Sequence, residues 1–374
     1  MASLYEAGRR GIPRPGRAWL GPARIGLVWW MFETRNGVWW MYLAPVHRMA
    51  QHAEVDAPAG VLYGLIADAL RWPVFLPPTV HVEQLEFDGG SERLRMWVTA
   101  NGEIKSWTTR RVLDPLAHRV EFRQEVLPRP VTSMGGSWSV EPRGPEKSLV
   151  TLRNDFAVAD NARADVDWVR RATTANTRAA LANLKQLAER WRRLDSLVLA
   201  FEESVHIDAG VEPVYAFLHR FGDRADAVPG ALRVELSERA PGVQLMRVEL
   251  PAAAGTTRTT ESVRIGFPHA GRIVFKDIRD SEQPALLAAH AGEWSVEPDP
   301  FGEGVTVVAR HHAVLDEDGV RERYGAGEQA VRVARQALRA RLAEQSAAAL
   351  GLARAYAEDA QVREHTEGAL ARRV

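Results

Sequence analysis

The chain has 374 residues, long for one domain and comfortable for two. Its 48 lysines and arginines balance 48 aspartates and glutamates, so no basic excess points to a nucleic-acid partner. With no cysteine it can form no disulfide, thiol nucleophile or cysteine-ligated metal site, which fits a reducing, cytoplasmic setting, and no stretch approaches the roughly 20 apolar residues of a membrane span.

The first 48 residues, with "GRRGIPRPGRAWLGPARIGLVWWMFETRNGVWWMYLAPVHRM", are rich in Arg, Gly, Pro and Trp and keep no steady period. Arginines followed by "IGLVWWMF" have the order of a signal peptide. Glu33 and Arg35 interrupt that run, however, and no small-x-small cleavage site follows it. Residues 1–48 are therefore expected to be a disordered or non-native extension, with Met41 and Met49 as later candidate starts.

From there a repeat organises the chain. "AEVDAPAGVLYGLIAD" at Ala53 resembles "SVHIDAGVEPVYAFLHR" at Ser204, pairing Asp56 with Asp208 and Tyr63 with Tyr215. "RRVLDPLAHRVEF" resembles "VRIGFPHAGRIVF", pairing Arg111 with Arg264 and Phe122 with Phe275. "GGSWSVEP" resembles "AGEWSVEP", pairing Trp138 with Trp294, and Ala157-Val158 pairs with Ala313-Val314. The offset grows from 152 at Asp56 to 156 at Trp138, as loop insertions between matched elements would produce. Four ordered matches imply two copies of one domain, 49–195 and 196–358, followed by a polar tail at 359–374.

Each copy opens with a short strand and a helix carrying Pro58 or Pro213 near its first turn. Strands with turn signals follow. A long helix closes each copy, at about Asp165–Arg193 in the first, with Val166, Val169, Ala172, Ala180, Leu184 and Leu187 inward, and at about Asp318–Ala349 in the second, extending to about Ala357. The fold class is α+β: tandem curved antiparallel sheets, each wrapped around a long C-terminal helix and leaving a hollow.

In "IKSWTTRRV", Trp107, Thr109 and Arg111 share one strand face. Met134, Gly136 and Trp138 alternate on a later strand. Trp72, in the turn-rich "LRWPVFLPP", falls where a lid would lie, and Asn176 sits inside the long helix. Aromatic walls with a few polar groups suit a small-molecule cavity. The plainer readings are that Trp138 is core, Trp72 staples its loop and Asn176 meets solvent. Arg111 would then pair with Asp155 or Glu121, because a buried guanidinium needs a partner or water. His311 and His312 are adjacent on a strand, face opposite ways and cannot jointly bind a metal. No HExxH, GxSxG or phosphate-cradling glycine loop occurs.

"LRWPVFLPP", "EIKSWTTRRV" and "RPVTSMGGSW", then a long helix containing "NTR", resemble the aromatase/cyclases of bacterial type II polyketide synthases, and the duplication resembles their di-domain members. The resemblance covers about residues 49–350. It implies a helix-grip, START-like fold. It also implies intramolecular aldol cyclisation and dehydration of a poly-β-ketone held on the phosphopantetheine of an acyl carrier protein, closing a C7–C12 first ring on a ketoreduced chain. Other synthase subunits would be partners, and neither metal nor organic cofactor is implied. The family's anchoring arginine and the hydroxyl two residues before it fall on Arg111 and Thr109, and in the second copy on Arg264 and Ser262. Its cavity lining falls on Trp72, Trp107, Met134, Trp138 and Asn176, and in the second copy on His290 and Trp294. Thr79 stands where single-domain relatives carry a tyrosine. Arg224 and Thr260 replace Trp72 and Trp107 in the second copy, which implies that the first copy does the main ring closure. The same fold also carries lipids and hydrophobic metabolites without turnover, so a non-catalytic binding protein is the alternative.

Overall fold

The computed structural model describes residues 27–33, 39–100, 102–221, 228, 230–252 and 255–371, with side chains described from 45 to 359 within those ranges. Strands β1 (Leu27–Glu33) and β2 (Trp39–Pro45) pair antiparallel as a hairpin inside the stretch expected to be irregular. Residues 1–26 and 34–38 of that stretch lie outside the described residues.

The first copy then runs β3 (His47–Val55), α1 (Ala59–Ala67), a short α2 (Trp72–Phe75), β4 (Thr79–Phe87), β5 (Ser91–Ala100), β6 (Glu103–Asp114), β7 (Arg119–Gln124), β8 (Val131–Gly144), β9 (Lys147–Val158), α3 (Arg163–Ala188) and α4 (Trp191–Leu197). The second repeats it as β10 (Val198–Ile207), α5 (Val211–His219), β11 (Arg233–Ala240), β12 (Val243–Pro251), β13 (Thr257–Phe267), β14 (Arg272–Asp280), β15 (Leu287–Pro298), β16 (Val305–Leu315), α6 (Glu317–Tyr324) and α7 (Glu328–Ala371). The two seven-stranded sheets have matching orders, β3-β9-β8-β7-β6-β5-β4 and β10-β16-β15-β14-β13-β12-β11. Described pairings are antiparallel, and the expected α+β duplication holds. Compact units do not follow the repeat: among the described residues, 64–87 and 94–106 cluster with those after 185, and those up to 63, 88–93 and 107–185 form the other unit.

Helix α3 buries Val166, Val169, Thr173, Thr177, Leu181, Leu184 and Ala188, a stripe spaced three and four residues apart. Val166 and Val169 pack on Phe156 and Val158 of β9 and on Met134. The expected stripe ran instead through Ala172 and Ala180. Choosing alanines over threonines shifts the face by one residue, about 100°. The second closing helix is broken where Gly325 and Gly327 take positive φ, so α6 and α7 replace one continuous helix. Helical backbone then runs to Ala371, through most of the expected polar tail.

One cross-strand row recurs in both sheets. Arg111 of β6 stands opposite Phe122, Phe122 opposite Gly136, and Gly136 opposite Asn154 of β9. In the second sheet the row is Arg264, Phe275, Gly292 and His311. Each phenylalanine ring lies over its glycine. A Cβ on Gly136 would sit 2.0 Å from the Arg153 carbonyl oxygen and 2.9 Å from Phe122 Cζ, and one on Gly292 would sit 2.4 Å from the Arg310 oxygen. Gly136→Ala should therefore force backbone movement and destabilise the protein by about 1–3 kcal/mol, read from a urea titration. An unchanged midpoint would show that the row tolerates a side chain there.

Candidate functional site

Residues opposite one another on neighbouring strands point to the same side of the sheet. The far end of each row fixes which side that is: Asn154 Nδ2 donates to Thr177 Oγ1 of α3 at 2.9 Å, and His311 Nε2 lies 2.6 Å from Ser346 Oγ of α7. The row, and so each buried arginine, is on the helix side of its sheet.

In the first copy Arg111 is 2 % exposed, and its Nε lies 3.3 Å from Oε1 of Glu92, itself 5 % exposed. Glu92 is thus the carboxylate for Arg111. The two expected partners are engaged elsewhere, Asp155 with Arg123 at 3.0 Å and Glu121 with Arg119 at 2.8 Å. Tyr63 of α1 is electrostatically coupled to this pair. Burial raises its phenol above the usual value, with Arg111 opposing the shift. Thr109 is buried, but its hydroxyl donates across the strands to the Arg123 carbonyl at 3.1 Å, so its first task is to hold β6 to β7. Trp107 is half-buried on the face of Thr109 and Arg111, and Trp138 is half-buried on β8. Met134 joins the core beneath α3.

The other expected residues have contacts of their own or face solvent. Trp72 donates its indole N–H to the Leu65 carbonyl at 3.0 Å, the stapling contact of the plainer reading. Thr79 is buried at the start of β4, its carbonyl accepting from Lys276 Nζ at 2.7 Å. Asn176 is exposed, turned out of the hollow by the helix register that turns Thr173 and Thr177 in.

The second copy gathers its expected residues. Ser262, Arg264, His290 and Trp294 all line one cavity of about 430 Å³ between the sheet and α7. Arg264 Nη1 donates to Gln244 Oε1 at 3.2 Å and to the His219 carbonyl at 3.3 Å, and its guanidinium lies 5.5 Å from the Trp294 ring centre. Arg224 lies outside the described residues. Sequence reasoning missed three more lining groups: Asp277, His311 and Ser346. With His290 they form a chain: Asp277 Oδ2 to His290 Nδ1 at 2.8 Å, His290 Nε2 to His311 Nδ1 at 3.1 Å, and His311 Nε2 to Ser346. The imidazoles stack at 5.4 Å and 11°. Burial, with His290 and His312 adding to it, pushes His311 down to about 3. Among the described residues no group of three or more His, Asp or Glu is arranged to hold a metal ion.

A family model described as polyketide cyclase/dehydrase and lipid transport matches residues 46–189 and 199–348. An actinorhodin polyketide synthase bifunctional cyclase/dehydratase of Streptomyces coelicolor is 39% identical over 291 residues, 75% of this chain and 88% of the relative. A granaticin polyketide synthase bifunctional cyclase/dehydratase of Streptomyces violaceoruber is 36% identical, covering 75% and 85%. Among solved structures, the di-domain ARO/CYC BexL of the BE-7585A biosynthetic pathway superposes with a TM-score of 0.74 at 38% identity, over 83% of this chain and 99% of that one. The di-domain ARO/CYC StfQ of the steffimycin pathway gives 0.71 at 26%, over 84% and 99%.

Removing one member of a buried ion pair strands the other charge, whereas removing both can be nearly neutral. Glu92→Leu should cost about 3–5 kcal/mol in urea unfolding, and Arg111→Met added to it should recover most of that loss. Equal loss in the double variant would refute the pairing. His311 has its folded pKa lowered from 6.5 to about 3, so protonation favours the unfolded chain, and its contribution is full above about 6.5 and lost as pH falls toward 3. His311→Asn should lose less stability than wild type across that window, measured by chemical denaturation at stepped pH. Parallel profiles would count against a buried neutral imidazole.

Proposed function

Because the chain belongs to the polyketide cyclase/dehydrase and lipid-transport family, and within it is a polyketide cyclase/dehydratase, we propose that its substrate is a poly-β-ketone tethered to the phosphopantetheine of an acyl carrier protein. On this reading it closes the first ring between C7 and C12 of a once-ketoreduced chain, in the cytoplasm and beside the other subunits of a type II synthase. The working copies are 49–195 and 196–358.

One observation carries the reading: a guanidinium, Arg111, buried on the helix side of the first sheet, 3.3 Å from Glu92 and acting electrostatically on the Tyr63 phenol. An aldol closure turns a ketone oxygen into an alkoxide by way of an enolate. A fixed cation in a water-poor hollow stabilises charge as it develops on that oxygen and need not reorganise to do so. Arg111 is the residue assigned to this task, with Tyr63 as the neighbouring O–H donor. Thr109 assists by fixing the β6–β7 register that aims Arg111. Trp107 and Trp138 supply apolar wall that holds the chain folded and raises the effective concentration of the carbon pair that must join. Protons between two carbonyls are acidic enough that a bound water serves as base.

The test is reconstitution with a minimal synthase, carrier protein and ketoreductase, comparing wild type with Arg111→Met/Glu92→Leu, the pair removed together so that the fold is kept. Wild type should channel the chain into one dehydrated aromatic first ring, and the double variant should form it about 100- to 1000-fold more slowly. A folded double variant that makes the ring at the wild-type rate would remove Arg111 from the chemistry, and a wild type that leaves the products unchanged would favour a carrier of hydrophobic ligands.

A further inference from the structure

The cavity of the second copy carries residues that the ring-closing account leaves unused. At three matched places the copies differ in kind. Gln124 stands opposite Thr109 where Asp277 stands opposite Ser262. Met134 precedes Gly136 by two residues as His290 precedes Gly292. Asn154 stands opposite Gly136 where His311 stands opposite Gly292. The helix hydroxyl that meets this last residue is Thr177 in one copy and Ser346 in the other. At those three places the first copy has groups that do not exchange protons near neutrality. The second has an unbroken line from a carboxylate through two imidazoles to a hydroxyl.

The line has one consistent set of proton positions. With Asp277 ionised, His290 donates its Nδ1–H to it, which leaves His290 Nε2 an acceptor. His311 then donates from Nδ1 to His290 Nε2 and accepts at Nε2 from the Ser346 hydroxyl. Both ring nitrogens of both histidines are engaged, so the buried end that meets a ligand is Ser346 Oγ. The other end, Asp277, is 28% exposed. The backbone bends beside it, where β14 carries an extra residue, Ile278, between the partners of Glu261 and Ser262.

We propose that the second cavity is a separate acid–base site, in which Ser346 takes a proton from a cyclised β-hydroxy ketone, stores it on Asp277 through the two histidines, and returns it to the departing hydroxyl. This rests on the polyketide reading above for the identity of its substrate. The C–H bond beside the ketone breaks to Ser346 Oγ while Ser346's own proton passes to His311, that of His311 to His290, and that of His290 to Asp277. The electron pair stays on the substrate as an enolate, in the cavity that Arg264 also lines. Collapse of the enolate forms the C=C bond and breaks the C–O bond. The leaving oxygen takes a proton from Ser346, the line relaxes to its starting positions, and one water is lost with no change of oxidation state. The carboxylate end is essential because burial leaves His311 a poor resting place for a second proton. Of the other charged groups lining the cavity, Arg258 is held by Asp280 at 2.9 Å and Arg341 by Glu282 at 3.1 Å, and Arg264 and Glu344 complete the set.

The experiment is a single-turnover reconstitution with product masses followed in time, using wild type, Ser346→Ala, Ser346→Thr, Asp277→Asn and the triple variant Asp277→Gln/His290→Met/His311→Asn, which installs the first copy's residues. Ser346→Ala and the triple variant should close the ring at the wild-type rate but lose water about 100-fold more slowly, accumulating a cyclised product one water heavier. Ser346→Thr should restore dehydration, and Asp277→Asn should change its pH profile as well as its rate. Dehydration at the wild-type rate in both Ser346→Ala and the triple variant would overturn the proposal. If wild type itself forms no ring, the polyketide reading fails, and the relay is judged by nitrogen-15 NMR of the imidazoles. Neutral Nδ1–H tautomers at His290 and His311, with the His290 proton shifted upfield in Asp277→Asn, would uphold it, and Nε2–H tautomers would overturn it.

Discussion

Taking Arg111 out of water costs several kcal/mol unless charge and hydrogen bonds replace the solvent, and much of each copy is arranged around that requirement. In the first copy Glu92 supplies the opposite charge from the next strand. In the second, Gln244 supplies an amide and the end of α5 supplies a carbonyl. The strand neighbours are constrained in turn. Phe122 and Phe275 pack beside their arginines, and their rings need Gly136 and Gly292 beneath them. The last place in each row binds a helix hydroxyl, so the row also sets how the closing helix seats on its sheet.

That shared frame leaves a few positions free to change, and the copies have used them differently. The first keeps a carboxylate–guanidinium pair and has Gln124, Met134 and Asn154 at the places that differ. The second gives up the carboxylate partner at Gln244 and gains a histidine, His311, in the row, with His290 and Asp277 hydrogen-bonded in line beside it. An imidazole buried beside another imidazole is a costly choice for packing alone, since burial and mutual repulsion both oppose its charge. Folding gains little from it that Met134 and Asn154 do not already provide in the first copy.

The sequence made the frame legible because the repeat aligned its fixed points: Arg111 with Arg264, Phe122 with Phe275, and Trp138 with Trp294. Alternation along "SWTTRRV" placed Thr109 and Arg111 on the buried face, as found. What could not be read was partnership across distance. Glu92, just after Gly89-Gly90, carries no local sign of its partner, yet it reaches Arg111 from the adjoining strand. Asn176 was placed inward because alanines looked like a core stripe, whereas Thr173 and Thr177 are the residues that turn in. His311 was set aside on a correct argument, that it and His312 face opposite ways. Its real partners, His290 and Ser346, are 21 and 35 residues away, beyond any local pattern.

On the proposed reading, the buried arginine of the first copy meets the reacting chain. The direct measurement is a crystal structure of the protein with a pantetheine-linked polyketide mimic whose ketones are replaced so that it cannot close a ring. The account predicts a chain oxygen within hydrogen-bonding distance of the Arg111 guanidinium, with the folded chain against Trp107 and Trp138. A mimic bound elsewhere, with Arg111 enclosed by protein alone, would contradict it.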